Sequence, residues 1–260
     1  MILKKHLNIF FALIALIICL FSTQSLVQAA DDQLEIGMVQ RKPDCYSQNH
    51  KLVGFNVELA KKLGKQMHKN VKIKTYSNQD KLLKAFKNKK IDLALGIAKG
   101  TTNLKYQTKP VLYIQNIVFS THKINNLSKL KNKTVGILQE NGSQEFLNNN
   151  QIKTIYFKNT NQLIRALDKK QIDAAMLNAY QYSGYLNKHP LRSYNNSNNQ
   201  SIPNQFYKID DINILSQQII AISNSRKLAN QVSHAIDQLR IATTLTELST
   251  KYYYYNYAFQ

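Results

Sequence analysis

Apolar positions mark out the same phrase twice. LLKAFKNKKIDLAL begins at Leu82 and LIRALDKKQIDAAM at Leu163, and Asp92 and Asp173 stand 81 positions apart with no gap between the copies. Each phrase runs from an amphipathic stretch, through polar residues, into Ile-Asp and a short apolar run. That is the pattern of a helix, a turn and a buried strand. Upstream, Gln33 to Val39 reads as a strand. Gly54 to Met67 carries Val57, Ala60, Leu63 and Met67 at helical steps, and Val71 to Thr75 alternates as a strand. With a helix over Asp80 to Lys87 and a strand over Ile91 to Leu95, residues 33–95 read β-α-β-α-β. The order returns with strands at Thr134–Leu138, Ile152–Phe157 and Ile172–Met176 and helices at Ser143–Leu147 and Asn161–Asp168. Two α/β lobes of one type, each with a parallel sheet, follow from this.

The connections predict how the lobes are joined. Val111 to Ser120 is long and apolar, suited to a strand crossing into the second lobe. Gln217 to Ser223 is placed to cross back, and Ser225 caps a helix to Leu239. Asn195 to Gln200 reads as a polar surface loop. Lobe one is therefore expected to be discontinuous, over residues 30–114 and 219–260, with lobe two over 115–218. Two crossing strands form a hinge, and a hinge implies closure on a ligand.

The N-terminus adds a compartment. Lys4, Lys5 and His6 precede an apolar run from Ile9 to Phe21, followed by Val27-Gln28-Ala29. The run is shorter than the ~20 residues a membrane-spanning helix needs. Residues 1–29 read as a signal peptide cleaved near Ala29, and a retained anchor is the alternative. Cys19 follows a bulky Ile, which argues against lipid attachment. Cys45 is then the one remaining cysteine, so no internal disulfide forms. It is read as a small buried hydrophobe, with a reactive thiol as the alternative.

Charge changes less than its size suggests. The net charge is +20, about +18 without the leader's two lysines. The lysines are scattered through helical segments, no nucleic-acid motif is present and the chain is exported, so a solvated basic surface is expected rather than nucleic-acid binding. The histidines at 50, 68, 122, 189 and 234 show no metal-ligand spacing, and no G-x-S-x-G elbow occurs. No cofactor or metal is implied.

Five pieces in order carry a resemblance. LVGFNVELAKKLG looks like a G-F-D-V-D-L-A-x-x-[IL]-[GA] helix, and KAFKNKKID and RALDKKQID are like A-L-K-x-G-K-x-D. NLSKLKNKTVGI resembles D-L-K-G-K-x-V-G-V, and TTLTELSTKYY resembles G-T-L-x-x-I-x-x-K-W/Y, although Ala242-Thr243 lacks the glycine. These are motifs of the periplasmic solute-binding proteins of the amino-acid-binding type (family 3), receptors for ABC importers. The resemblance implies a two-lobed periplasmic-binding-protein (Venus flytrap) fold, in which each lobe is a mostly parallel sheet flanked by helices. It further implies a periplasmic monomer that closes on a small polar or anionic solute, amino-acid-like, and delivers it to a membrane permease.

The family's usual anchors are altered. Its carboxylate-binding arginine is absent from the segment after Gly96, where Lys99 or Lys105 supplies the charge without arginine's bidentate fork. Its amine-binding aspartate corresponds to Asn178, which reads equally as a helix cap. Gly142 and Ser143 resemble the family's anion-binding turn or an ordinary N-cap. In the first loop Tyr46 is the candidate stacking ring and Arg41 a candidate anion partner. Tyr180, Tyr182 and Tyr185 have the spacing of a packed helix face. Two rival classes follow: a periplasmic dehydratase of the prephenate/arogenate kind, with Glu140 as its acid, and an accessory protein with a degenerate cleft, docking through its KYYYYNYAFQ tail.

Overall fold

The computed structural model describes residues 33–189, 206–209 and 216–259. The leader with its cleavage site and the polar 195–200 segment lie outside the described residues. The first half runs β1 (Gln33–Val39), β2 (Tyr46–Gln48), β3 (Lys51–Val53), α1 (Phe55–Gln66), β4 (Asn70–Tyr76), α2 (Gln79–Lys87), β5 (Leu93–Ala98) and β6 (Leu112–Ile114). The second runs β7 (Asn116–Ser120), a 3-10 turn (Leu127–Leu130), β8 (Thr134–Leu138), α3 (Gln144–Asn149), β9 (Lys153–Phe157), α4 (Thr160–Asp168), β10 (Ala174–Asn178), α5 (Ala179–Lys188) and β11 (Tyr207–Lys208). The chain closes with β12 (Gln217–Ser223), α6 (Arg226–Ile241) and α7 (Thr244–Tyr253).

Two five-stranded sheets result, in the orders β4-β1-β5-β12-β6 and β11-β7-β10-β8-β9. In each, the first strand of the repeat lies between its two parallel partners, and two antiparallel strands extend one edge. Helices cover both faces, so β5 and β10 are apolar almost throughout. In lobe one, α1, α6 and α7 bury Leu59, Leu63, Val232 and Leu245 against Ile36 and Met38. On the other face, α2 packs Leu82 and Phe86 on Ile97. Lobe two repeats the plan, with Leu163 and Leu167 of α4 packed on Ala175 and Leu177.

The repeated Ile-Asp has one job in both lobes. The Asp92 carboxylate accepts from the Glu35 N–H at 2.9 Å, and the Asp92 N–H donates to the Glu35 carbonyl at 2.8 Å. Asp173 holds Thr134 by the same two bonds, both 2.8 Å. The preceding isoleucine plugs the core. It needs room: a Cβ on Gly37 would lie 2.3 Å from Ile91 Cδ1, and one on Gly136 would lie 2.6 Å from Ile172 Cδ1. These pairs are why β5 and β10 begin two residues later than the sequence pattern suggests, in both copies.

Other boundaries also move. Val111–Ser120 is two strands, β6 in one sheet and β7 in the other, broken at Gln115, whose carbonyl accepts from the Ala179 N–H at 2.7 Å. The return strand β12 starts beside that break, with Gln217 opposite Ile114. Ser225 caps α6 by accepting from the Leu228 N–H at 3.2 Å, as expected. Tyr253 and Tyr257 of the tail point into lobe one, while Tyr254, Tyr255 and Phe259 face outward. Among the described residues no helix is long and apolar enough to cross a membrane.

Gly37→Ala and Gly136→Ala should each destabilise the fold by about 1–3 kcal/mol, the cost of overpacking a filled core. Urea denaturation of the two variants is the check, and similar losses are expected from both because the isoleucine plug is the same.

Candidate functional site

In open α/β sheets, ligands collect outside the carboxyl ends of the strands where the winding reverses. Here those ends, β1 and β5 from lobe one and β8 and β10 from lobe two, face one cleft. It encloses a cavity of about 550 Å³. Lobe one contributes the loop after β1, the start of α2 at Ser77–Gln79, and Gly96 and Ala98. Lobe two contributes Leu138 to Glu140, the start of α4 at Lys158–Thr160, and Asn178 with Tyr180 and Gln181. The two helix starts are related by the repeat, since the caps Asn78 and Asn159 are again 81 residues apart. Each cap oxygen accepts from the backbone N–H three residues on, at 2.9 and 3.0 Å.

Charged residues reach the cavity from both lobes. Arg41 Nε donates to Asp44 Oδ2 at 3.1 Å within lobe one, and Arg41 Nη1 donates to Glu140 Oε2 across the cleft. Burial alone would lower the guanidinium's pKa, but the two carboxylates outweigh it and hold it above its ordinary value. The other Asp44 oxygen accepts from the Tyr253 hydroxyl. Burial, then Asp44, pushes that phenol well above its usual range. Tyr253 meets Tyr180 of the opposite lobe edge-on, with ring centroids 5.2 Å apart. Lys42 and Lys158 also line the cavity. The cleft therefore offers two carboxylates paired through Arg41, together with the Lys42 and Lys158 ammonium groups and the start of α4. Among the described residues no group of three His, Cys, Asp or Glu could hold a metal ion.

The expected site residues divide. Arg41 and Asn178 line the cavity. Asn178 is also the cap of α5: its Oδ1 accepts from the Gln181 N–H at 2.8 Å, and its Nδ2 donates to Gln217 Oε1 at 2.9 Å. Tyr46, Lys105, Gly142 and Ser143 are not among the lining residues. Tyr46 pairs with Val53 in the β2–β3 hairpin, under the Lys42 ammonium at 5.0 Å. Lys105 is exposed beside Tyr106. Gly142 abuts lobe one so closely that a Cβ would stand 1.6 Å from the Lys99 carbonyl oxygen. The Ser143 N–H donates to Asn141 Oδ1 at 2.9 Å, and its hydroxyl accepts from Asn116 Nδ2 at 3.0 Å. This turn thus packs the lobes together. Lys158, Asn159, Gln217 and Tyr253 escaped sequence reasoning; the matching asparagines 81 residues apart were the available signal.

Comparison with known proteins agrees with this architecture. Residues 34–255 match the family described as bacterial extracellular solute-binding proteins, family 3. The arginine-binding extracellular protein ArtP of Bacillus subtilis (strain 168) is 30% identical over 153 residues, which is 55% of this chain and 60% of that protein's length. The arginine-, lysine-, histidine-binding protein ArtJ of Geobacillus stearothermophilus superposes with a TM-score of 0.62 at 19% identity, covering 86% of this chain and 96% of ArtJ. The GluR0 ligand-binding core from Nostoc punctiforme, in complex with L-glutamate, gives 0.60 at 18% identity over 85% of this chain and 99% of its own.

The loop that carries Arg41 and Asp44 is closed by Cys45, whose backbone exchanges hydrogen bonds of 2.7 and 2.8 Å with Arg41. The thiol is fully buried, and burial, followed by Asp44, pushes its pKa up to about 11. At pH 8 roughly one molecule in a thousand would carry the thiolate that alkylating reagents attack. The folded protein should therefore leave Cys45 unmodified by iodoacetamide, and denaturant should expose it. Mass spectrometry of the two samples checks this.

Proposed function

The chain belongs to the bacterial extracellular solute-binding proteins, family 3, and from that premise we propose that it is an extracytoplasmic receptor for a small amino-acid-like solute. It acts as a monomer, is exported by its leader, and hands the solute to an ABC transporter permease. The observation that carries the reading is the cavity lined from both lobes, with both signs of charge among its lining residues. A zwitterion needs such an arrangement. Its carboxylate is drawn to Lys158 and the start of α4, and its ammonium group to uncharged oxygen acceptors of the lining, because Asp44 and Glu140 already hold Arg41. Solute contacts to both lobes favour the closed form over the open one, the differential affinity that drives closure. The names of ArtP and ArtJ support the amino-acid class. The reading includes binding without turnover: the Glu140 carboxylate that an acid catalyst would use is held by Arg41.

A thermal-shift screen of the mature protein against amino acids, polyamines, dicarboxylates and aromatic acids tests the proposal. A binder present at 100 times its dissociation constant adds ~2.7 kcal/mol, a rise of roughly 5–10 °C for a chain of this size. An α-amino acid is the expected hit. A response confined to acids lacking an amine would reject the zwitterion reading, and no response to any solute would favour the accessory-protein class.

A further inference from the structure

Arg41 has an unusual position for a cleft residue. Its loop is fixed at the backbone by Cys45, and its half-exposed side chain reaches a carboxylate from each lobe, Asp44 and Glu140. These are the acidic side chains among the residues lining the cavity. Asp44 has its second oxygen on the Tyr253 hydroxyl. Lys42, the neighbouring cation, sits 5.0 Å from the centroid of the Tyr46 ring, and Lys158 lines the opposite lobe. Any guanidinium or ammonium side chain entering this end of the cavity would meet carboxylates already bound to a cation, and would meet that cation's own charge.

We infer that Arg41 is the residue that determines which solutes the cleft accepts: it fills the carboxylate pair from within and rejects amino acids whose side chains are cationic. This rests on the receptor reading above. Specificity of this kind comes from repulsion built into the site, rather than from an added attraction. Replacing Arg41 by a neutral residue of similar reach leaves two carboxylates on opposite lobes, placed to be bridged by a ligand cation. Replacing it by lysine keeps the repulsion while losing the fork.

Titration calorimetry with L-glutamine, L-arginine and L-lysine tests the inference on the mature protein and three variants, Arg41→Gln, Arg41→Lys and Arg41→Gln/Glu140→Gln. Near-ultraviolet circular dichroism confirms that each is folded. The expected result is that the starting protein binds L-arginine at least tenfold more weakly than L-glutamine. Arg41→Gln should gain tenfold or more for L-arginine, Arg41→Lys should not, and the second substitution at Glu140 should cancel the gain. Equal L-arginine affinity in the starting protein and Arg41→Gln overturns the inference and leaves the receptor reading standing. Absence of binding by any of the four proteins overturns both.

Discussion

The molecule depends on a two-point fastening between the first and third strands of each lobe. A parallel strand cannot be delivered by a tight turn; it arrives from a helix on one face and must be set in register. Asp92 does this with its backbone and side chain together, gripping both polar groups of Glu35, and Asp173 does the same at Thr134. Hydrogen bonds to a charged acceptor are the stronger kind, and these two lie where each strand begins. With the starts pinned, the opposite ends of β1, β5, β8 and β10 come together, and those ends border the cleft. The glycine facing the isoleucine plug belongs to the same device, because it lets the incoming chain lie close against the first strand.

The lobes meet in two different ways. At the hinge the contacts are hydrogen-bonded and largely buried: Gln115 to Ala179, and Gln217 to Asn178. At the cleft mouth they are ionic and exposed, as with Arg41 and Glu140, or rest on ring and backbone packing at Tyr180–Tyr253 and Gly142–Lys99. An exposed ion pair contributes about 0–1 kcal/mol, so the mouth can part while the hinge stays fixed. This is the division of strength a hinged receptor requires.

Much of the fold was legible because the lobes use one periodic pattern twice, and agreement between the copies reinforces each. The strand starts were misread by two residues for a local reason. Ile91 and Ile172 are apolar and buried, as strand residues are, yet they serve as plugs before the ladder begins. The break at Gln115 was hidden in an apolar run, since both halves are buried in different sheets. The site was less legible because its chemistry lies in pairings between distant positions. Arg41 and Asn178 were visible as residues, but Glu140 and Gln217, which occupy them, are 99 and 39 positions away. Gly142 and Ser143 read as an anion-binding turn, and the approach of Lys99 from the other lobe, outside the cavity lining, was not visible in their own segment.

Tyr253, whose ring and hydroxyl complete the cavity wall, comes from the last helix of the chain. β12, which ties the first lobe's sheet together, is also late. Lobe one begins with β1 and is finished by α7. A chain that emerges N-terminus first therefore has most of lobe two available to fold, yet no completed cavity. A finished cleft is in this sense a time stamp: it exists only once α7 has joined lobe one, and a chain lacking that helix has an open cavity wall.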